Sequence, residues 1–414
     1  MTDTSPYHSY VDELLLESSR GDVSSFNEHI LAEPIKLGAS EMERRNLAHA
    51  TISRFFSSSR EIFRRCVLGD AQPELKKLLV NDSENAIPNG FYRELPEAVW
   101  TNPLFFRTDE SREGRIFEIQ CPGSGWGDML LLGSLYRDHC QNPNLALYDP
   151  RTLITGAIQN VCKSQAPTVL HLLDNASNPT SMQYLIRSTQ PPLLYWGYHK
   201  EVRNGDCSFI RSHSVYGLIA ENLFRHRLKL AENGKVTFDL PPLLVFDQKM
   251  ILCLPFLDET RGEFSDDIRE LLTYTYPVSA KGFRDVTGEW VTIKDFLKRQ
   301  PHERKYFLKY GGCDTTINWG SRGVYRLDSE KASSLLSQAA RDYVSDRPWV
   351  IQPDQSNKEK ITYFVRDSEE RKTETLTAKY SSFYGPAGLV GARTHHRRST
   401  KVHGQSDAIV GLAY

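Results

Sequence analysis

The sequence predicts an α/β (α+β) fold with a helical N-terminal region, and three observations carry that reading. Apolar residues recur at helical spacing early in the chain. Strand-like runs alternate with helical stretches between about residues 166 and 255. The last third interleaves short β-branched and aromatic runs with a glycine-rich loop and an amphipathic helix. At 414 residues the chain is long enough for two or three packed units.

Residues 1–99 read as a helical supporting region. Ser40 and Glu43 fit a capping box, and Leu47, Ile52, Phe55, Ile62 and Phe63 follow at roughly helical spacing. From Trp100 the pattern changes. Leu104, Phe105 and Phe106, then Ile116, Phe117 and Ile119, form two strand-like runs, with the polar stretch 109–115 as the tip of a hairpin. The loop CPGSGWGD and an apolar helix over 129–136 complete a segment assigned to 100–165. In 166–255, TVLHLLD, ending at Asp174, and PPLLVF, before Asp247, read as buried strands of a Rossmann-like unit with a partly parallel sheet. In 256–414, KYFLKY is a strand ending at Lys309, and GGCDTTINWGSRGV is a loop. Asp328 or Ser329 caps a helix with Ala332, Leu335, Leu336, Ala339, Ala340 and Tyr343 on its apolar face, and PWVIQ and ITYFV are strands.

Composition excludes several classes. The formal net charge of -1 gives no general attraction to nucleic acid or anionic lipid. The N-terminus has no basic region followed by an apolar run, and no stretch approaches the roughly 18 apolar residues of a membrane span. Seven scattered cysteines with no CxxC pair point to reduced thiols and a cytoplasmic enzyme, with Cys313 in the glycine loop as a bystander.

Two segments carry chemistry. Lys309 ends a strand and can direct its ammonium at a phosphate. Gly311, Gly312, Gly320 and Gly323 let backbone N–H groups approach an anion, and Asn318, Ser321 and Arg322 add donors. No GxxxxGK[ST] occurs, so this is not a P-loop. The same loop also fits a plain surface turn. In FFRTDESREGRIFEIQ, Glu118 and Gln120 share one strand face, and Asp109 can approach it from the other arm. Two carboxylates and an amide oxygen make a hard-oxygen site suited to magnesium, and Arg107 can bind a phosphate or carboxylate. The wet face of a sheet edge fits the same alternation.

Taken together, RTD followed by FEIQ, the later FLKY with its glycine loop, PWVIQ and GLVGAR occur in an order that resembles the circularly permuted ATP-grasp ligases, the group of glutathionylspermidine synthetase and eukaryotic-type glutathione synthetase. The likeness spans about residues 100–414. It implies an ATP-grasp fold with a central substrate domain, and a magnesium- and ATP-dependent ligase joining a carboxylate to an amine through an acyl phosphate. It implies magnesium at Asp109, Glu118 and Gln120. Lys309, Gly320, Ser321, Arg322 and Gly323 would lie on the phosphates, and the backbone of Val350, Ile351 and Gln352 on adenine. Arg107, Arg322 and Arg393 would hold the reacting groups. The family has asparagine where Gln120 stands and a glutamate where only Asp314 is near. Its second nucleotide lysine has no clear match, with Lys281 and Lys294 as candidates and Asp247 and Lys249 at the nucleotide mouth. Small-molecule substrates are implied, and a homodimer is one expectation. A nucleotide-binding protein that has lost ligation, and a small-molecule kinase, are the alternatives. His395, His396, Arg397 and Arg398 read as a mobile basic loop in which adjacent histidines point to opposite sides. His403 fits a substrate-closing tail or an ordinary loop.

Overall fold

The computed structural model describes residues 28–69, 71–81, 87, 90–121, 125–140, 145, 150–165, 167–172, 194–196, 208–212, 214–220, 223–318, 322–365, 370–399 and 407–414. Gly320, Ser321, Asp174, Gly123 and His403 lie outside them. In chain order the strands are β1 (His29–Leu31), β2 (Phe106–Glu110), β3 (Ile116–Gln120), β4 (Thr168–Leu172), β5 (Leu194–Trp196), β6 (Phe209–Ser212), β7 (Thr237–Phe238), β8 (Tyr276–Pro277), β9 (Phe283–Arg284), β10 (Trp290–Val291), β11 (Tyr306–Tyr310), β12 (Val324–Arg326), β13 (Trp349–Pro353), β14 (Asn357–Phe364), β15 (Arg371–Gly385), β16 (Gly388–Arg397) and β17 (Ile409–Ala413). The larger helices are α1 (Ala39–Leu68), α2 (Trp126–Cys140), α3 (Pro150–Cys162) and α4 (Ala332–Val344).

The largest sheet closes on itself. β14, β1, β17, β16 and β15 pair in that order, and β15 pairs back to β14. Strand β15 can do this because it is long and rich in β-branched and aromatic residues. Its first half pairs with β14, and its second half passes to β2, with Ser381 opposite Asp109. β3 then extends the sheet beyond the ring. A four-stranded antiparallel sheet, β12-β11-β13-β8, carries the Lys309 strand, and a parallel sheet, β5-β4-β6-β7, forms the α/β unit.

Helix α1 covers the back of the large sheet. Its buried face is Ala48, Ile52, Phe55, Phe56, Ile62, Phe63 and Cys66 at three- and four-residue spacing. Leu47 is 64% exposed, so the predicted stripe is shifted by one position at its start. The helix begins at Ala39, and Glu41, not Glu43, folds back onto the backbone N–H of Gly38. Arg45 reaches from this helix into the sheet. Its Nε donates to Glu110 Oε1 at 2.7 Å, with both side chains fully buried. Ser382 and Thr108 also donate to Glu110.

Other boundaries moved. PPLLVF is not a strand: 3-10 turns cover Leu244–Asp247 and Lys249–Phe256, because a run buried on all sides shows no period that separates strand from helix. The tip of the β2–β3 hairpin is shorter than expected, so Asp109 lies within β2. Lys331 occupies the N-cap position of α4 without a side-chain cap, and Ser329 instead donates to Arg326 O. No helix among the described residues is long and apolar enough to cross a membrane.

Removing one partner of a buried ion pair strands the other charge, at a cost of about 3–5 kcal/mol. Arg45→Met is expected to lower stability by that amount, and adding Glu110→Gln to recover a large part of it. Equal urea midpoints for wild type and Arg45→Met would show that the pair does not anchor α1.

Candidate active site

Strand alternation sorts the β2 and β3 side chains. Arg107 pairs across the ladder with Gln120, and Asp109 with Glu118, so all four share the front face, opposite to Glu110 and α1. The sequence-predicted group is therefore brought together. Lys379 and Ser381 of β15 join it, because Ser381 is the cross-strand neighbour of Asp109. Asp109 is 2% exposed and heavily engaged. Lys379 Nζ donates to its Oδ2 at 2.8 Å, Ser381 Oγ to Oδ1 at 2.7 Å, and Arg107 Nε to Oδ1 at 3.0 Å. Burial pushes its pKa up, but Arg107 and Lys379 outweigh burial and hold it far below the usual carboxylate range.

The second sheet supplies Lys309, and the 3-10 segment Lys249–Phe256 supplies Lys249. Lys309 Nζ donates to Phe117 O at 3.1 Å and lies over the Phe117 ring. Burial pushes its pKa down to about 8, against the pull of Glu118. Lys249 Nζ stands 3.6 Å from Glu118 Oε1 and donates to Asn318 Oδ1 at 2.7 Å. Gln120 Nε2 donates to Glu118 Oε1 at 3.3 Å. Burial raises the Glu118 carboxyl, yet Lys249, Lys309 and Lys379 bring its pKa below the ordinary value.

Arg393 of β16 sits beside this group on the same face, paired with Ser381 across the ladder. Its Nη1 donates to Asp128 Oδ2 of α2 at 2.8 Å. The guanidinium fills the place that a side chain at Gly125 would occupy, so glycine is required there, and its φ of 87° suits glycine as well. Glu28 lies near both; burial and Asp128 push its carboxyl up to about 7.

Of the remaining predicted residues, Val350 is the cross-strand partner of Lys309. Gly323 is buried, and its N–H donates to Ile317 O at 2.9 Å; a Cβ there would press on Ile317 and Tyr310. Arg322 is exposed at the loop's end. Val350 and Ile351 lie between β11 and β8, and Gln352 donates from Nε2 to Thr275 Oγ1 at 2.8 Å. Asp314 is taken by Arg347 at 2.8 Å. Lys281 and Lys294 are exposed, whereas Lys249 lies beside Glu118. Cys313 is buried with its thiol toward Gln248. The basic run at 395–398 is not a loop: His395 and His396 lie in β16, buried on opposite faces. Lys379 was missed altogether. Its alternation with Ser381 was the available signal, and it needed the β15–β2 register to acquire meaning.

Among the described residues no cluster of three His, Cys, Asp or Glu side chains is arranged to hold a metal ion. Magnesium on a nucleotide needs only one or two protein carboxylates beside the phosphates. Glu118, with Gln120 next to it, fits that demand; Asp109, already bonded by Arg107, Lys379 and Ser381, serves as the anchor of those cations.

No family model and no curated protein sequence matches the chain. Among solved structures, a glutathione synthetase-like effector from Globodera pallida, in its apo form, aligns over 100% of this chain and 98% of its own, with a TM-score of 0.52 and 9% identity. A putative gamma-glutamylcysteine synthetase from Methylobacillus flagellatus aligns over 74% of this chain and 77% of its own, with a TM-score of 0.38 and 12% identity, a likeness too slight to assign a fold. The chain thus shares the overall fold of a glutathione synthetase-like effector.

Proposed function

We propose that the chain is an ATP- and magnesium-dependent carboxylate–amine ligase of the ATP-grasp type. It would act in the cytoplasm on a small-molecule carboxylate and amine and release ADP and phosphate. The observation that carries this reading is the convergence of Lys249, Lys309, Lys379 and Arg393, from two sheets and a 3-10 segment, around Glu118 and Asp109. Phosphoryl transfer needs positioning and charge neutralisation more than a covalent nucleophile, and buried cations supply both. Lys309 and Lys249 hold the nucleotide phosphates. Arg393, fixed by Asp128, and Arg107, fixed by Asp109, orient the carboxylate that is phosphorylated and then attacked by the amine. Arg322 closes from the loop. Magnesium, when bound at Glu118 and Gln120, would neutralise phosphate charge. The segments 100–165 and 256–414 would form the nucleotide-binding part around the unit at 166–255.

A second reading, nucleotide binding without ligation, is favoured by the commitment of Asp109 to Arg107 and Lys379 and of Asp314 to Arg347. Incubation with ATP, magnesium and pooled amino acids and polyamines separates the two: ADP and phosphate are expected from the ligase, binding alone from the second, and AMP with pyrophosphate would reject the acyl-phosphate route.

Glu118→Ala is expected to cut turnover by at least about a hundredfold while the protein stays folded; unchanged ADP release would remove Glu118 from the site. Lys309→Met keeps the apolar stem and loses the charge, so ATP affinity should drop with little change in Tm. Lys309 in the free site is charged below a pKa of about 8. Affinity for ATP should therefore be level below that pH and weaken above it, by up to about tenfold per unit. Calorimetric titration from pH 6.5 to 9.5 checks the slope, which should vanish in Lys309→Met.

A further inference from the structure

The chemistry above makes no use of His395. This residue is opposite Lys379 across the β15–β16 ladder and two positions from Arg393 on the same face. The two β16 side chains are thus about 7 Å apart along the strand. His395 is 3% exposed, and its Nδ1 has no hydrogen-bond partner. Arg393, 7% exposed, has its Nη1 on Asp128 while its Nε is buried without a partner. Two polar atoms of one strand face are therefore left unsatisfied side by side, which native interiors avoid unless something else meets them. His396 faces the back of the sheet, where its Nε2 reaches Glu359 Oε2 at 3.2 Å; its Nδ1 is also buried without a partner, but with no second unsatisfied donor of β16 on that face.

The charges around this pair define what fits. Arg107, Lys379 and Arg393 are the nearby cations; Asp109 and Asp128 are each already bonded to one of them, and the third carboxyl, Glu28, is pushed up to about 7 by burial and Asp128. Burial first, and then Arg393 and Lys379, keep the imidazole neutral. A neutral imidazole can present Nδ1 as an N–H donor, and the guanidinium Nε is always one. A ligand ammonium would meet three cations here, and an apolar group would leave both donors unmet. An anionic oxygen satisfies both.

We propose that His395 and Arg393 form a subsite for an anionic oxygen of the substrate, a carboxylate or phosphoryl oxygen, received by His395 Nδ1–H and Arg393 Nε–H. The word substrate here rests on the ligase reading; the anion contact stands without it. The subsite makes His395 a binding residue, placed opposite Lys379 and one step along β16 from the row of Arg393, Ser381, Asp109 and Glu118.

Protein carrying ¹⁵N-labelled histidine tests this. The His395 ring nitrogens, assigned by their loss in His395→Gln, should shift when inorganic phosphate or acetate is titrated in. A response to phosphate alone identifies a phosphoryl oxygen, and to acetate alone a carboxylate oxygen. No response to either, or to ATP, overturns the proposal. His395→Phe keeps a ring of similar size without a donor, and should weaken the responding anion by about tenfold, the scale of one lost hydrogen bond. Should that variant fail to fold, His395→Gln is measured for the same loss. Anion affinity equal to wild type in a folded variant overturns the proposal too. Wild type that never releases ADP, yet shows the His395 shift, would sink the ligase reading and leave the subsite standing; turnover with a silent His395 would do the reverse.

Discussion

Two adjacent carboxylates on one strand set the terms for the rest of the molecule. Asp109 and Glu110 are both buried, and the two-residue period of β2 sends them to opposite sides of the sheet. A buried carboxylate survives as an ion only with a cation and hydrogen bonds beside it. On the back, Glu110 is met by Arg45, which fixes helix α1 to the sheet. On the front, Asp109 is met by Arg107, Lys379 and Ser381, which fixes the cations of the site. Scaffold and site are therefore built on the same peptide unit.

The entry to β2 is held with similar care. Leu104 and Phe105 donate their backbone N–H groups to Asp239, at the end of the parallel sheet. Asp239 also pairs with the buried Arg211 at 2.9 Å, whose guanidinium lies over the rings of Phe105 and Trp126. The α/β unit thus sets the position of the strand that carries Arg107 and Asp109. Lys309 arrives from the second sheet and Lys249 from the 3-10 segment Lys249–Phe256, and both meet Glu118. A field assembled from separate elements in this way is organised before any ligand enters, which is the condition under which fixed charges act most strongly.

Local signals were legible to the extent that they were periodic. Glu118 and Gln120 alternate on one strand, and that spacing placed them on one face together with Asp109. Strands at KYFLKY and PWVIQ, and helices at 39–68 and 332–344, announce themselves through β-branched content or a three-to-four repeat. The failures share a cause. Lys379 matters only because the second half of β15 pairs with β2, a contact between residues some 270 apart, and no local pattern encodes a register over that span. The run at 395–398 looked like a basic loop because its charge was visible and its burial was not. Lys249 was noticed near the right place, but its partner Glu118 lies more than a hundred residues earlier. Gly323, which the resemblance places on the phosphates, packs against Ile317 and Tyr310, a contact that no local pattern announces.

The closed ring of strands has a consequence for how the protein comes into being. β1, at residues 29–31, pairs with β17, at 409–413, and with β14 at Phe364. During synthesis the first of these strands leaves the ribosome long before its partners exist. At common elongation rates the gap between residues 29 and 413 is about 20–80 s. Until β14 emerges β1 has no ladder to join, and the edges of β1 and β16 that will receive β17 stay open until that strand emerges. Such edges are templates for pairing with other chains. Nascent chains of this protein are thus candidates for chaperone protection until the final strand is released and the ring can shut.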